Sequence, residues 1–164
     1  MPSIEDYARR PREERLARIA LTPDELADAV RNTDVAVHSR RPAPKSWAPT
    51  EVICHLRDNE EWFLERIRLI VVMDLPRFVA TNPDRWADER QYLTNDAAVA
   101  LAAFARRRRE TLEFLRQLAP DAWARAGVHA DSRGRRTIDE FLSVMAWHDD
   151  NHLDQLRRAL LGRP

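Results

Sequence analysis

The segment from Thr137 to Leu160 restricts the fold more than any other. Thr137-Ile138-Asp139-Glu140 reads as a capping box, with a hydroxyl at the N-cap and a carboxylate three residues on. Phe141, Leu142, Met145, Leu156 and Leu160 then recur at helical spacing, so one face of a long helix must be buried against other elements. His148 and His152 interrupt that same face. Four residues apart on a helix they stand one above the other, the way a helix offers two imidazoles to one divalent metal. Such a pair is common by chance. Its place on a core face gives it weight, because a buried imidazole left without a partner costs a few kcal/mol.

A second stripe supplies a third histidine. Pro49 opens a helix predicted to run to about Met73, with Val52, Leu56, Trp62, Phe63, Ile67 and Ile70 on its buried side and His55 among them. Three histidines on core faces are easier to explain together than separately. His55, His148 and His152 are the candidate metal ligands, and three neutral imidazoles would leave a divalent metal an open position. Asp58, three residues after His55, is the candidate base or ligand-orienting carboxylate, with a solvated carboxylate as the alternative. Asp149 lies about 100° from His148 and reads as a carboxylate that supports a ligand or is paired elsewhere, rather than a ligand itself. Gln155, three residues past His152, is a candidate pocket residue able to hydrogen-bond near the site.

Two further helices complete the set. Thr22-Pro23-Asp24-Glu25 reads as a start, Thr22 capping and Pro23 in the first turn, with Leu26, Ala29, Val30, Thr33 and Val37 as its apolar face fading near Arg40. Another helix spans about Asp96 to Leu118 with Leu101, Phe104, Ala105, Arg108, Leu112 and Leu115 on its stripe, stopped by Pro120. In Arg106–Arg109, only Arg108 lies on that stripe, where it is expected to reach an internal carboxylate; its neighbours are solvated or paired. Residues 3–20 read as two short helical pieces split by Pro11. Residues 74–95 and 119–136 are loops, the first a lid or wall with a short helix at 83–89. Trp86 and Tyr92 there, and His129 in the second loop before Ser132-Arg133-Gly134-Arg135-Arg136, are candidate pocket residues; packing under a loop explains the aromatics equally well. Trp47, Trp62 and Trp147 are most simply core, and Cys54 a buried, inert thiol.

Four amphipathic helices imply an all-α four-helix bundle with long loops, residues 22–164, preceded by a short N-terminal helical extension at 1–21. Three glycines in 164 residues agree with helix over strand. Cations and anions balance at 27 each, which argues against a general nucleic-acid binder. The longest apolar run, Ile70–Met73, is too short to span a membrane, and the N-terminus has no apolar signal core. With its single cysteine, the chain reads as cytoplasmic.

These residues together resemble the DinB-like (DinB/YfiT) superfamily of helical-bundle metal-binding proteins. The resemblance runs through Trp47-Ala48-Pro49-Thr50-Glu51-Val52-Ile53-Cys54-His55-Leu56-Arg57-Asp58-Asn59-Glu60, Asn82-Pro83-Asp84-Arg85-Trp86 to Tyr92, Gly127-Val128-His129 with Gly134, and Thr137 to the His148–Leu156 stretch. It covers roughly residues 20–161. It implies a bundle with a three-histidine divalent metal site, here His55, His148 and His152, and frequently a homodimer; imidazole ligands suit zinc, nickel, copper and iron alike, with zinc placed first and nickel second. It also implies a low-molecular-weight thiol such as mycothiol or bacillithiol, used by an S-transferase or isomerase acting on an electrophile; the open metal position equally allows bound water and a hydrolase. Two other classes stand beside a metalloenzyme: a non-catalytic metal-binding module, and a partner-binding bundle whose histidines are merely buried.

Overall fold

The computed structural model describes residues 2–79, 81–130 and 134–164. In chain order the helices are α1 (Ile4–Ala8), α2 (Arg12–Val30), α3 (Val35–His38), α4 (Pro49–Val72), α5 (Pro83–Glu89), α6 (Ala97–Arg116) and α7 (Ile138–Leu160). Three starts follow local chemistry legible in the sequence. Thr137 Oγ accepts from the Glu140 amide and Glu140 accepts from the Thr137 amide. Asp96 caps α6 through the Val99 amide. Pro49 opens α4, where Glu51 accepts from the Ala48 amide and is clamped by Arg41. The expected short helix at 83–89 is α5, capped by Asn82.

The long helices α2, α4, α6 and α7 form an all-α four-helix bundle. Helix α2 packs on α6 and α7, and α4 also packs on α6 and α7. The chain therefore crosses a diagonal from α2 to α4 and again from α6 to α7, the crossovers that long loops allow. One core cluster gathers Ile19, Phe63, Ile67, Phe141 and Met145; the other gathers Leu26, Ile53, Leu56, Phe104 and Leu156.

The first long helix differs from expectation. It begins at Arg12, runs through Thr22 and Pro23, and stops at Val30; Asp34 then caps the separate α3. A proline inside a helix costs about 3 kcal/mol and leaves the carbonyl four residues earlier without its donor. Here that carbonyl is Ile19, and Arg108 Nη1 donates to it at 2.6 Å. Thr22 does not cap: its hydroxyl donates to Asp149 at 2.6 Å. Ile19 and Leu26, on either side of Pro23, are fully buried, and each such side chain contributes roughly 1.5–3 kcal/mol. Tertiary contacts thus offset the proline, and α2 crosses the boundary expected between residues 21 and 22.

The expected 119–136 loop also contains regular structure among its described residues. Strand β2 (Ala126–His129) pairs parallel with β1 (Arg77–Phe78) and antiparallel with β3 (Arg135–Thr137). Gly127 is required there: a Cβ would sit 2.3 Å from the Phe78 ring and 3.1 Å from the Pro76 carbonyl. Ser132 and Arg133 of the expected turn lie outside the described residues. Among those described, no helix is long and apolar enough to cross a membrane.

Candidate metal centre

Helix α4 carries His55 into the bundle and α7 carries His148 and His152 toward it. One ring nitrogen from each lies within 4.8 Å of the others. His55 Nε2 and His148 Nε2 are 3.1 Å apart, and ring centroids are 5.1, 4.5 and 4.3 Å apart for the His55–His148, His55–His152 and His148–His152 pairs. Two nitrogens bound tetrahedrally to one zinc at ~2.05 Å stand about 3.3 Å apart, so the 3.1 Å separation fits a shared ion. Burial holds His55 and His148 well below the ordinary histidine pKa and lowers His152 too, which keeps the lone pairs that ligation needs. The Nδ1 of His152 stands 2.7 Å from Gln155 Oε1. An amide oxygen only accepts, so Nδ1 carries the proton and Nε2 is left for an ion. Imidazole donors of this kind suit zinc or nickel.

The three rings sit at the base of a cavity of about 760 Å³, within the range that encloses small ligands. Its walls include Trp47, Trp62, Phe63, Phe141, Trp147 and His129. Trp47 lies 4.8 Å from the His55 ring and stacks at 6.3 Å over His152. His129 reaches the wall from β2; a guanidinium only donates, so Arg66 Nη1 at 3.0 Å makes His129 Nδ1 the acceptor. Gln155 also lines the cavity. The three tryptophans expected in the core are half-buried residues that border core and cavity at once.

Asp58, Tyr92 and Trp86 are placed elsewhere. None lines the cavity. Both Asp58 oxygens are occupied: Arg57 and Arg107 reach Oδ1, while Arg90 and Tyr92 donate to Oδ2 at 2.5 and 2.7 Å. Tyr92 is fully buried in the second core cluster, and Trp86 lies under the Arg90 guanidinium at 4.3 Å. The three-residue spacing from His55 does bring Asp58 to the same helix side, but besides its neighbour Arg57 its cations are Arg90, just beyond α5, and Arg107 on α6, which a local reading does not see. Cys54 is buried, and burial pushes its thiol up to about 11, as an inert cysteine should be. Sequence reasoning missed Asn59, whose Nδ2 lies 3.0 Å from His55 Nδ1; a four-residue step from a candidate ligand was the available signal.

Burial alone would raise the Asp58 carboxyl, but hydrogen bonds from Arg57, Arg90 and Tyr92 overcome it and hold the pKa at about 2. A carboxylate depressed on folding stabilises above its unfolded pKa of about 3.9, and the contribution is lost as pH falls through the folded value. Asp58→Asn is therefore expected to destabilise the protein by about 2 kcal/mol near pH 7, with the gap to wild type closing between about pH 4 and 2. Urea titrations across that range check it, and metal content should not change. A loss of metal with unchanged stability would return Asp58 to the site.

The DinB superfamily profile matches residues 18–156. YfiT of Bacillus subtilis (strain 168), described as a candidate metal-dependent hydrolase, is 22% identical over 107 residues, which are 65% of this chain and 60% of YfiT's length. The structure of YfiT, described as having an unusual four-helix bundle topology, superposes with a TM-score of 0.84 at 19% identity, over 97% of this chain and 88% of YfiT. A mycothiol-dependent maleylpyruvate isomerase superposes at 0.73 with 16% identity, over 95% of this chain and 63% of that one. At these identities the structural likeness is one of fold. The profile match spans most of the sequence, and the chain belongs to the DinB superfamily.

Proposed function

We propose that this protein is a metal-dependent enzyme in which His55, His148 and His152 hold one divalent ion, zinc before nickel, at the base of the cavity. The observation that carries the reading is the convergence of three neutral imidazoles on a space open to a small molecule. Bound there, the ion would lower the pKa of a thiol or water reaching its open position. The chain's own residues then do the rest. Gln155 holds the His152 tautomer, Trp47 covers two of the imidazoles, and the aromatic walls exclude bulk water around the reacting group. A small thiol acting on an electrophile, as the name of the mycothiol-dependent relative suggests, is the first candidate; hydrolysis, as the description of YfiT suggests, is the second. A merely structural role for the histidines accounts for their burial but not for the cavity above them.

Cobalt(II) substitution separates the branches. A small thiol such as mycothiol, bacillithiol or glutathione, titrated into the cobalt-loaded chain, is expected to add a near-ultraviolet thiolate-to-cobalt band that saturates. Cobalt-loaded protein that ignores every thiol yet hydrolyses model esters in a chelator-sensitive way supports the water branch. Cobalt-loaded protein that shows neither a thiolate band nor chelator-sensitive hydrolysis overturns the enzymatic reading.

A further inference from the structure

The cavity has two chemically distinct halves. Its depth is aromatic, with Trp47, Trp62, Phe63, Phe141 and Trp147 around the histidines. Its charged side chains are one-sided: Lys45, Arg136, Arg158 and Arg163 against Asp84 among the described residues, with the lining Pro164 oxygen accepting from Arg158. The chain carries 27 cations and 27 anions, so an even mixture would be the expectation for an arbitrary rim. Arg158 is already paired with Asp154 at 2.9 Å. Lys45, in the segment leading into α4, and Arg163, beyond the end of α7, are exposed and come to the same mouth from distant parts of the sequence. Cations held at the edge of a low-dielectric cleft concentrate anions there and orient them with the charge outward.

We propose that the cavity takes an amphipathic anion, its apolar body among the tryptophans and an anionic oxyacid group at the mouth between Lys45 and Arg163. The inference rests on reading this cavity as the substrate site but does not require the metal. It defines the substrate, or one of two, as a carboxylate or an equivalent oxyanion rather than a neutral apolar compound. The anionic end is the part that solvent-facing cations recognise, which leaves the opposite end directed to the histidines.

The test uses a matched pair of probes, 4-phenylbutyrate and its neutral amide, titrated against the full chain in its zinc-loaded and chelator-treated forms with tryptophan fluorescence as the readout. At low salt the acid should bind about five- to tenfold more tightly than the amide in both forms. High salt should shrink that preference, because exposed charges are screened, and the double variant Lys45→Gln, Arg163→Gln should lose it while binding the amide as before. Equal affinity for acid and amide, or binding of neither, overturns the proposal. A preference found only with zinc and retained in the double variant also overturns it, since the carboxylate would then sit on the metal; that result would support the metal site. A preference that persists in protein unable to bind zinc would uphold this proposal while removing the metalloenzyme.

Discussion

Wild-type protein purified without a histidine tag is expected to carry close to one equivalent of zinc or nickel, and the His148→Ala, His152→Ala variant close to none. The reasoning is geometric: removing two of three ligands leaves His55 alone, and one imidazole on a buried face holds a divalent ion no better than many surface sites. His55→Ala alone should weaken binding by orders of magnitude rather than abolish it, since the four-residue pair on α7 survives. Metal analysis together with circular dichroism tests both. The helical signal should persist in the double variant, because the bundle is held by apolar clusters flanking the site rather than by the imidazoles themselves. Wild-type chain that is folded, metal-free and indifferent to added zinc and nickel would sink the centre. Its histidines would then be polar core residues, satisfied by Asn59, Gln155 and one another.

Arg108→Met should be the most damaging substitution outside the site. Arg108 is almost wholly buried, and burial by itself would lower its pKa; Asp149 and Glu60 more than offset that, so it remains charged. It donates to Asp149 at 2.5 and 3.1 Å, to Glu60 at 2.6 Å and to the Ile19 carbonyl at 2.6 Å. Removing it strands two carboxylates that are each about 1% exposed. Breaking a buried ion pair from one side costs about 3–5 kcal/mol, or on the order of 10 °C in Tm for a chain of this size. Because the guanidinium also replaces the donor that Pro23 lacks, the variant should bend or fray α2 as well. Adding Glu60→Gln and Asp149→Asn to Arg108→Met should recover part of the loss, since neutral amides are cheaper to bury than unpaired charges. A loss under 1 kcal/mol for the single variant would show that the network contributes little to stability.

Local signals carried much of this protein. Capping boxes, prolines at first turns and apolar stripes are short-range effects, so α4, α5, α6 and α7 start where residue types demand. The three histidines were legible for the same reason: each sits on a helical face that the apolar pattern marks as buried, and helical periodicity alone aligns His148 with His152. Arg108 on its stripe and Asp149 off the histidine face were legible too, although only the tertiary structure pairs them.

The remainder depended on groups far apart in the chain. Thr22-Pro23 has the chemistry of a helix start, yet α2 passes through it because Arg108, some ninety residues later, supplies the hydrogen bond that proline cannot. Asp58 shares a helix side with His55, but beside its neighbour Arg57 the remote Arg90, just past α5, and Arg107, on α6, claim its oxygens. The tryptophans had the composition of core, and only the closing of the bundle left one side of each facing a cavity. Lys45 and Arg163 carry no local mark of function; the mouth they share exists because the α4 entry and the end of α7 meet in space. Periodicity reports which face of a helix is buried, whereas what that face meets is decided by packing between segments that no local pattern connects.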